Sequence, residues 1–217
     1  MKEIFKKNYK IENNIIKFKI NDQTVKKVTE FYNEAPFPNY EKDDDKSSIN
    51  YKGEKNVLAR EFKKLTGFNK NVLEVGCGTG QLSIYLAIGN NNRVFALDPT
   101  LASINLGKNF SDKNKIDNIK FINADIFDDV FTDETFDFIW ANGVLHHTKN
   151  AKQSFDILAK LLMVNRLHMG FSVSGVFRLF LFTIPFPIKI VNMVDDTNPI
   201  KYIKPFMSAF IIEYIKK

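Results

Sequence analysis

The sequence predicts an α/β fold, a doubly wound, Rossmann-like and mostly parallel sheet with helices on both faces. Three observations carry this expectation. Short apolar runs alternate with amphipathic, helix-length segments between residues 71 and 173. The first run breaks into the glycine-rich Gly76-Cys-Gly-Thr-Gly80. The second closes on Asp98, and the third is followed by Asp125, which puts acids where such strands end.

Taken in order, Ile15, Ile16, Phe18 and Ile20 suit a short strand or a packing arm. Asp22 followed by Val25, Val28, Phe31 and Tyr32 at three- and four-residue spacing predicts a helix over 23–34. Pro36 and Pro38 end it, because proline lacks a donor and disfavours helix at the residue before it. The polar stretch 41–48 reads as a loop. A second helix follows, with Val57, Leu58, Phe62 and Leu65 on one face and Gly67 as its stop. Strands are expected at 71–75, 93–97, 118–122, 136–140 and 167–173, with helices at 81–89, 100–110 and 151–163. Residues 1–69 thus form an N-terminal helical cap, 70–175 the core, and 176–217 a divergent C-terminal segment.

Composition narrows the partners. Net charge is +6, but residues 71–160 carry −3, so the basic excess lies in the two flanks and no lysine or arginine run exceeds two. That distribution disfavours a nucleic-acid substrate. The single cysteine, Cys77, excludes an internal disulfide framework and a multi-thiolate zinc site, so no metal is expected. Met1–Lys10 holds no apolar stretch of secretory length, which points to a cytoplasmic setting. The longest uncharged stretch near the C-terminus, Leu179–Ile188, is about half a bilayer span. A buried helix or an apolar face over a pocket is expected there, and peripheral membrane contact stays open.

Glycines between a strand and a helix let the backbone turn tightly and bring its N–H groups close to a ligand. Two ligand classes use such a loop. The dinucleotide fingerprint wants a further glycine two residues after the second, and the positions concerned are Gln81 or Ser83. The observed spacing, with Glu74 two residues before the first glycine, suits a ligand without phosphates.

The stretches VLEVGCGTGQ (72–81), VFALDPT (94–100), INADIFD (122–128) and FDFIWANGVLHH (136–147) together resemble the class I S-adenosylmethionine-dependent methyltransferases. The resemblance implies that S-adenosyl-L-methionine is the cofactor and a small molecule the methyl acceptor. It implies that Glu74 and the backbone of Gly76, Cys77, Gly78 and Gly80 hold the methionine part. Asp98, followed by Pro99, would accept from the ribose hydroxyls. Asp125 and Ile126 would meet the adenine edge, and Asn142 would lie near the sulfonium. A net-negative cleft agrees with a cationic, phosphate-free ligand. An alternative is a catalytically inactive or partner-dependent cofactor-binding protein, because the chain after residue 173 looks short for the family's closing strands six and seven.

Several residues admit two roles. His146 and His147 are candidate catalytic bases, since imidazole titrates near neutral pH, or else caps of the next helix. Cys77 is either a small buried residue or a nucleophile. Asp43-Asp44-Asp45 is a solvated loop rather than a metal site. The aromatic stretch 31–40, with Phe31, Tyr32, Phe37 and Tyr40, is either a lid over the cofactor or ordinary packing.

Overall fold

The computed structural model describes residues 4–20, 25, 29, 30 and 36–163, and the strand backbones at 167–172, 179–184 and 189–193. A hairpin of β1 (Lys10–Glu12) and β2 (Ile15–Lys17) is followed by helices α1 (Lys46–Lys55) and α2 (Val57–Thr66). Then come β3 (Asn71–Val75), α3 (Gln81–Ala87), β4 (Arg93–Asp98), α4 (Leu101–Lys113) and β5 (Ile119–Asn123). After a single 3-10 turn at Ile126–Asp128 come β6 (Phe138–Asn142), a second such turn at Leu145–His147, and α5 (Ala151–Leu161). The described chain closes with β7 (Leu167–Ser172), β8 (Leu179–Ile184) and β9 (Lys189–Met193).

These strands make one sheet in the order β1-β2-β5-β4-β3-β6-β7-β8-β9. The five from β5 to β7 are parallel, with Val72 beside Val94 on one side and beside Phe138 on the other. From β3 the chain steps outward through β4 and β5, then returns to pair β6 on the free side of β3. That reversal opens a crevice beyond the C-terminal end of β3, which is where open α/β sheets hold ligands.

Side-chain alternation divides the sheet's burial between two cores. Val72, Val94, Ala96, Phe121 and Trp140 face α1–α4, meeting Ile49, Phe62, Ile84 and Ile104. Leu73, Val75, Phe95, Leu97 and Ile139 face α5, meeting Leu158 and Leu161, with Phe18, Phe131 and Phe136 at the margin. Helices on both faces are therefore required by strands that are apolar on both sides. Among the described residues no helix is long and apolar enough to cross a membrane.

The structure departs from the sequence reading at several places. The N-terminal cap is not wholly helical: Ile15 and Ile16 belong to a hairpin strand that pairs in parallel with β5. The helix expected at 23–34 lies outside the described residues except for Val25, Thr29 and Glu30, which are helical. The acidic run is not simply a solvated loop. Asp45 caps α1 by accepting from Ser48 N at 2.8 Å, while buried Asp44 binds Lys52 Nζ at 2.8 Å. A capping box starts that helix at Lys46, inside the stretch read as loop. On α2, Val57 and Leu65 face solvent and the buried face belongs to Ala59 and Phe62. Residues 179–184 form a strand rather than a buried helix, so an antiparallel β8–β9 pair follows β7. A continuous apolar run of that length does not distinguish strand from helix by periodicity, and pairing partners decide it.

Helix α4 approaches the glycine-rich loop through Gly107, where an added Cβ would stand 2.3 Å from the Thr79 carbonyl oxygen and 2.7 Å from the Phe121 ring. Alanine gains about 0.5–1 kcal/mol over glycine in a free helix interior. Here overpacking against backbone, at about 1–3 kcal/mol, outweighs that gain. Gly107→Ala therefore lowers the unfolding free energy by roughly 1–2 kcal/mol, read as a reduced urea midpoint at unchanged slope.

Candidate active site

The loop after β3 is held by the strand beside it. Gly76 N and Cys77 N both donate to the Leu97 carbonyl, at 2.8 and 3.1 Å, and Gly80 N closes a turn on Cys77 O at 2.8 Å. Gly76, Gly78 and Gly80 all take positive φ, so the loop's path is open to glycine and strained for other residues. The Asp98 carboxylate completes the fixation. One oxygen accepts from Gly78 N at 2.8 Å and the other from Thr100 N at 2.8 Å. Asn123, at the end of β5, donates to the carbonyls of Asp98 and Pro99 at 3.1 and 2.8 Å, so three strand ends are locked together.

Two carboxylates are buried here, Glu74 at 6% exposure and Asp98 at 8%. Ser83 Oγ, in the first turn of α3, donates to Glu74 Oε2. Burial pushes the Glu74 carboxyl up to about 8, against the opposing hydrogen bonds from Ser83 and with a further push from Asp98. Burial raises Asp98 as well, against the N–H groups of Thr100 and Gly78. Neither has an ion pair among the described residues. Burial also raises the Cys77 thiol, helped by Asp98 and Glu74. Cys77 is therefore a neutral, buried wall residue and not an activated nucleophile.

The other expected site residues line the same sheet edge. Asp125 is half-buried and caps the 3-10 turn at 126–128, its Oδ1 accepting from Phe127 N at 2.8 Å, with buried Ile126 next to it. Asn142 ends β6 and is exposed, followed by Gly143 at φ +69° with open space where a Cβ would stand. Val144 then folds back on the glycine loop, since a Cβ on Gly76 would meet its side chain at 2.3 Å. That contact carries the exposed His146 and His147 to the rim of the crevice, their rings 3.9 Å apart. Burial, then His147, lowers the His146 pKa. The structure thus bonds Asp98 directly to the glycine loop, with Glu74 on the adjacent strand bound to Ser83. Asp125, Asn142 and the histidines stand at neighbouring strand ends.

Residues 37–40 lie across the loop. Thr79 Oγ1 donates to Pro38 O, Gln81 Nε2 to Asn39 O at 2.9 Å, and Tyr40 Oη to Thr79 O at 2.8 Å. The Tyr40 ring stacks on Phe110 at 4.3 Å, and the Phe37 carbonyl lies where a Gly78 Cβ would be, 2.2 Å away. Phe37 itself is 74% exposed. Phe31 and Tyr32 lie outside the described residues. Sequence reasoning missed Ser83, Thr79 and Asn123, whose partners are set by packing and leave no spacing signal.

The donor set fits S-adenosylmethionine. Buried carboxylates with no lysine or arginine on them suit a sulfonium and an ammonium, and would repel a pyrophosphate. No cluster of His, Cys, Asp and Glu among the described residues could hold a metal ion.

Comparison with known proteins bears on the domain and its fold. A family model described as a methyltransferase domain matches residues 68–174. Among solved structures, the [4+2]-cyclase SpnF is similar at TM-score 0.54 and 16% identity, over 70% of this chain and 63% of that one. A protein assigned as a sarcosine dimethylglycine methyltransferase from Galdieria sulphuraria gives 0.50 and 16%, over 56% and 46%. Phosphoethanolamine N-methyltransferase 2 of Haemonchus contortus, in complex with S-adenosyl-L-methionine, gives 0.50 and 15%, over 54% and 27%. The chain therefore matches less than two thirds of the length of each. At such identities these structures speak for the fold, and the family model speaks for the domain. Residues 68–174 of this chain thus match a methyltransferase domain, on a fold shared with S-adenosylmethionine-dependent methyltransferases.

Proposed function

We propose that this protein transfers a methyl group from S-adenosylmethionine to an oxygen, nitrogen or carbon of a small, partly apolar acceptor. The observation that carries the reading is the pair of buried carboxylates, Glu74 and Asp98, at the strand ends beside the glycine loop, with no ion pair among the described residues. Bound there, the cofactor supplies an electrophilic methyl carbon on a cationic sulfur.

The chain's own residues would do the rest. Glu74 and the 76–80 backbone hold the methionine end, Asp98 and Pro99 flank the ribose, and Asp125 with Ile126 meets the adenine edge. Asn142 faces the reacting centre from the end of β6. The uncharged Pro36–Tyr40 segment, tied to Thr79 and Gln81, excludes water from the edge and disfavours a polyanionic acceptor. His146, whose pKa is lowered by partial desolvation and by His147, can accept a proton from an acceptor's hydroxyl or amine. Alignment of the acceptor with the methyl carbon supplies the remaining acceleration.

Incubating the pure protein with methyl-labelled cofactor and a small-molecule extract tests the activity, since an enzyme labels a product and an inactive binding protein does not. Asp98→Ala should weaken cofactor affinity by about 1.5–3 kcal/mol through loss of charged hydrogen bonds. Calorimetry with the cofactor, its demethylated product and NAD measures this, and binding of NAD alone would refute the reading. Tyr40→Phe should cost roughly 0.5–1.5 kcal/mol of affinity or transition-state stabilisation by freeing the segment from Thr79. Replacing His146 and His147 together by glutamine should lower kcat about 10²–10⁴-fold at pH 7 with cofactor affinity unchanged. An unaltered kcat would assign the pair to the approach of α5 instead.

A further inference from the structure

Glu74 and Asp98 project from adjacent parallel strands. Glu74 is registered beside Ala96, two residues before Asp98, so strand alternation puts both carboxylates on the face covered by α1–α4. The two acids are not equivalent. Asp98 accepts two backbone N–H bonds from the loop and from Thr100, which favour its anion. Glu74 is enclosed to the same degree and accepts from one residue, through the hydroxyl and the backbone N–H of Ser83. The titratable groups acting on it are Asp98 from β4, the Cys77 thiol from the loop and the Tyr40 hydroxyl from the overlying segment. Burial raises the last two above their ordinary values, and the two backbone N–H bonds on the first favour its anion. No ammonium or guanidinium among the described residues forms an ion pair with Glu74. Two anions so placed, without a cation, carry a desolvation cost that protonating one of them removes.

We infer that Glu74 carries a proton in the ligand-free protein at neutral pH and surrenders it to solvent when the cationic cofactor binds. The inference rests on the cofactor reading above. In the step the Glu74 O–H bond breaks, the proton passes to buffer, and the carboxylate left behind faces the ligand's positive charge. Glu74 thereby senses charge in the site: it is neutral when the site is empty and anionic when a cation fills it. The direction of its pKa, raised by burial, agrees with this. Affinity for the cofactor then rises with pH, about tenfold per unit up to roughly pH 8, and levels beyond it.

Calorimetry of S-adenosylmethionine binding at pH 7, in phosphate and in Tris buffer, counts the protons released. The wild type should release close to one proton more than Glu74→Gln, and the variant's affinity should be nearly independent of pH between 6 and 8. Equal proton counts in the two proteins overturn the inference and leave the cofactor reading intact. Absence of binding to the wild type overturns both. Ser83→Ala offers a second variant. It removes a bond that favours the anion and should move the midpoint of the affinity–pH curve upward, and an unmoved midpoint counts against Glu74.

A ligand-free measurement checks the resting proton by itself. A carboxyl whose pKa is higher in the folded than in the unfolded chain gives stability that is present below the unfolded value, near 4.5, and lost as pH rises through about 8. The melting temperature of the wild type should therefore fall relative to that of Glu74→Gln between pH 5 and pH 8. Parallel pH profiles would show that Glu74 is already ionised and would overturn the proposal.

Discussion

The site depends on the Asp98 carboxylate joining two backbones. Its two oxygens reach Gly78 N in the loop after β3 and Thr100 N at the start of α4, so a single side chain sets the distance between adjacent strand exits. Hydrogen bonds to a charged acceptor are stronger than neutral ones, and here they are shielded from water. The Leu97 carbonyl, shared by Gly76 N and Cys77 N, holds the same loop one residue earlier. Without these bonds, three glycines at positive φ would have little to keep them in one conformation.

Around that fixed loop the rest of the molecule approaches as closely as glycine permits. Val144 comes onto Gly76, the Phe37 carbonyl onto Gly78, and α4 comes through Gly107 onto Thr79. Each approach brings a different part of the chain to one edge of the sheet: the histidine turn, the aromatic segment before α1, and the helix after Asp98. Local turn geometry and close packing thus have the same cause. The residues that permit the loop's conformation also clear the space its neighbours occupy.

The electrostatics follow from the same closeness. A loop walled on several sides leaves its acids out of water, and burial dominates the behaviour of Glu74, Asp98, Cys77 and Tyr40 alike. A domain with these strand ends could in principle hold many ligands, and fold alone does not select one. The selection lies in two buried carboxylates that have no ion pair among the described residues, which favours a cation-bearing ligand, and in an overlying segment that carries no charge from Pro36 to Tyr40.

By itself the sequence determined whatever is written in short-range pattern. Short apolar runs alternating with helix-length amphipathic segments located the parallel core, the glycine spacing separated a phosphate-free ligand from a dinucleotide, and the positions of Asp98, Asp125 and Asn142 fell at or just beyond strand ends. Tertiary structure alone decided what depends on partners far along the chain. Residues 179–184 became a strand because β7 and β9 offer backbone groups to pair, which an apolar run does not reveal. Asp44 became a buried partner of Lys52, and Asp45 a helix cap, rather than part of a solvated run. Ser83 meets Glu74, and Tyr40 meets Thr79 across 39 residues, because helix and segment converge on one loop. Periodicity records which face a residue turns inward, but the group it meets there is set by how the elements are packed together.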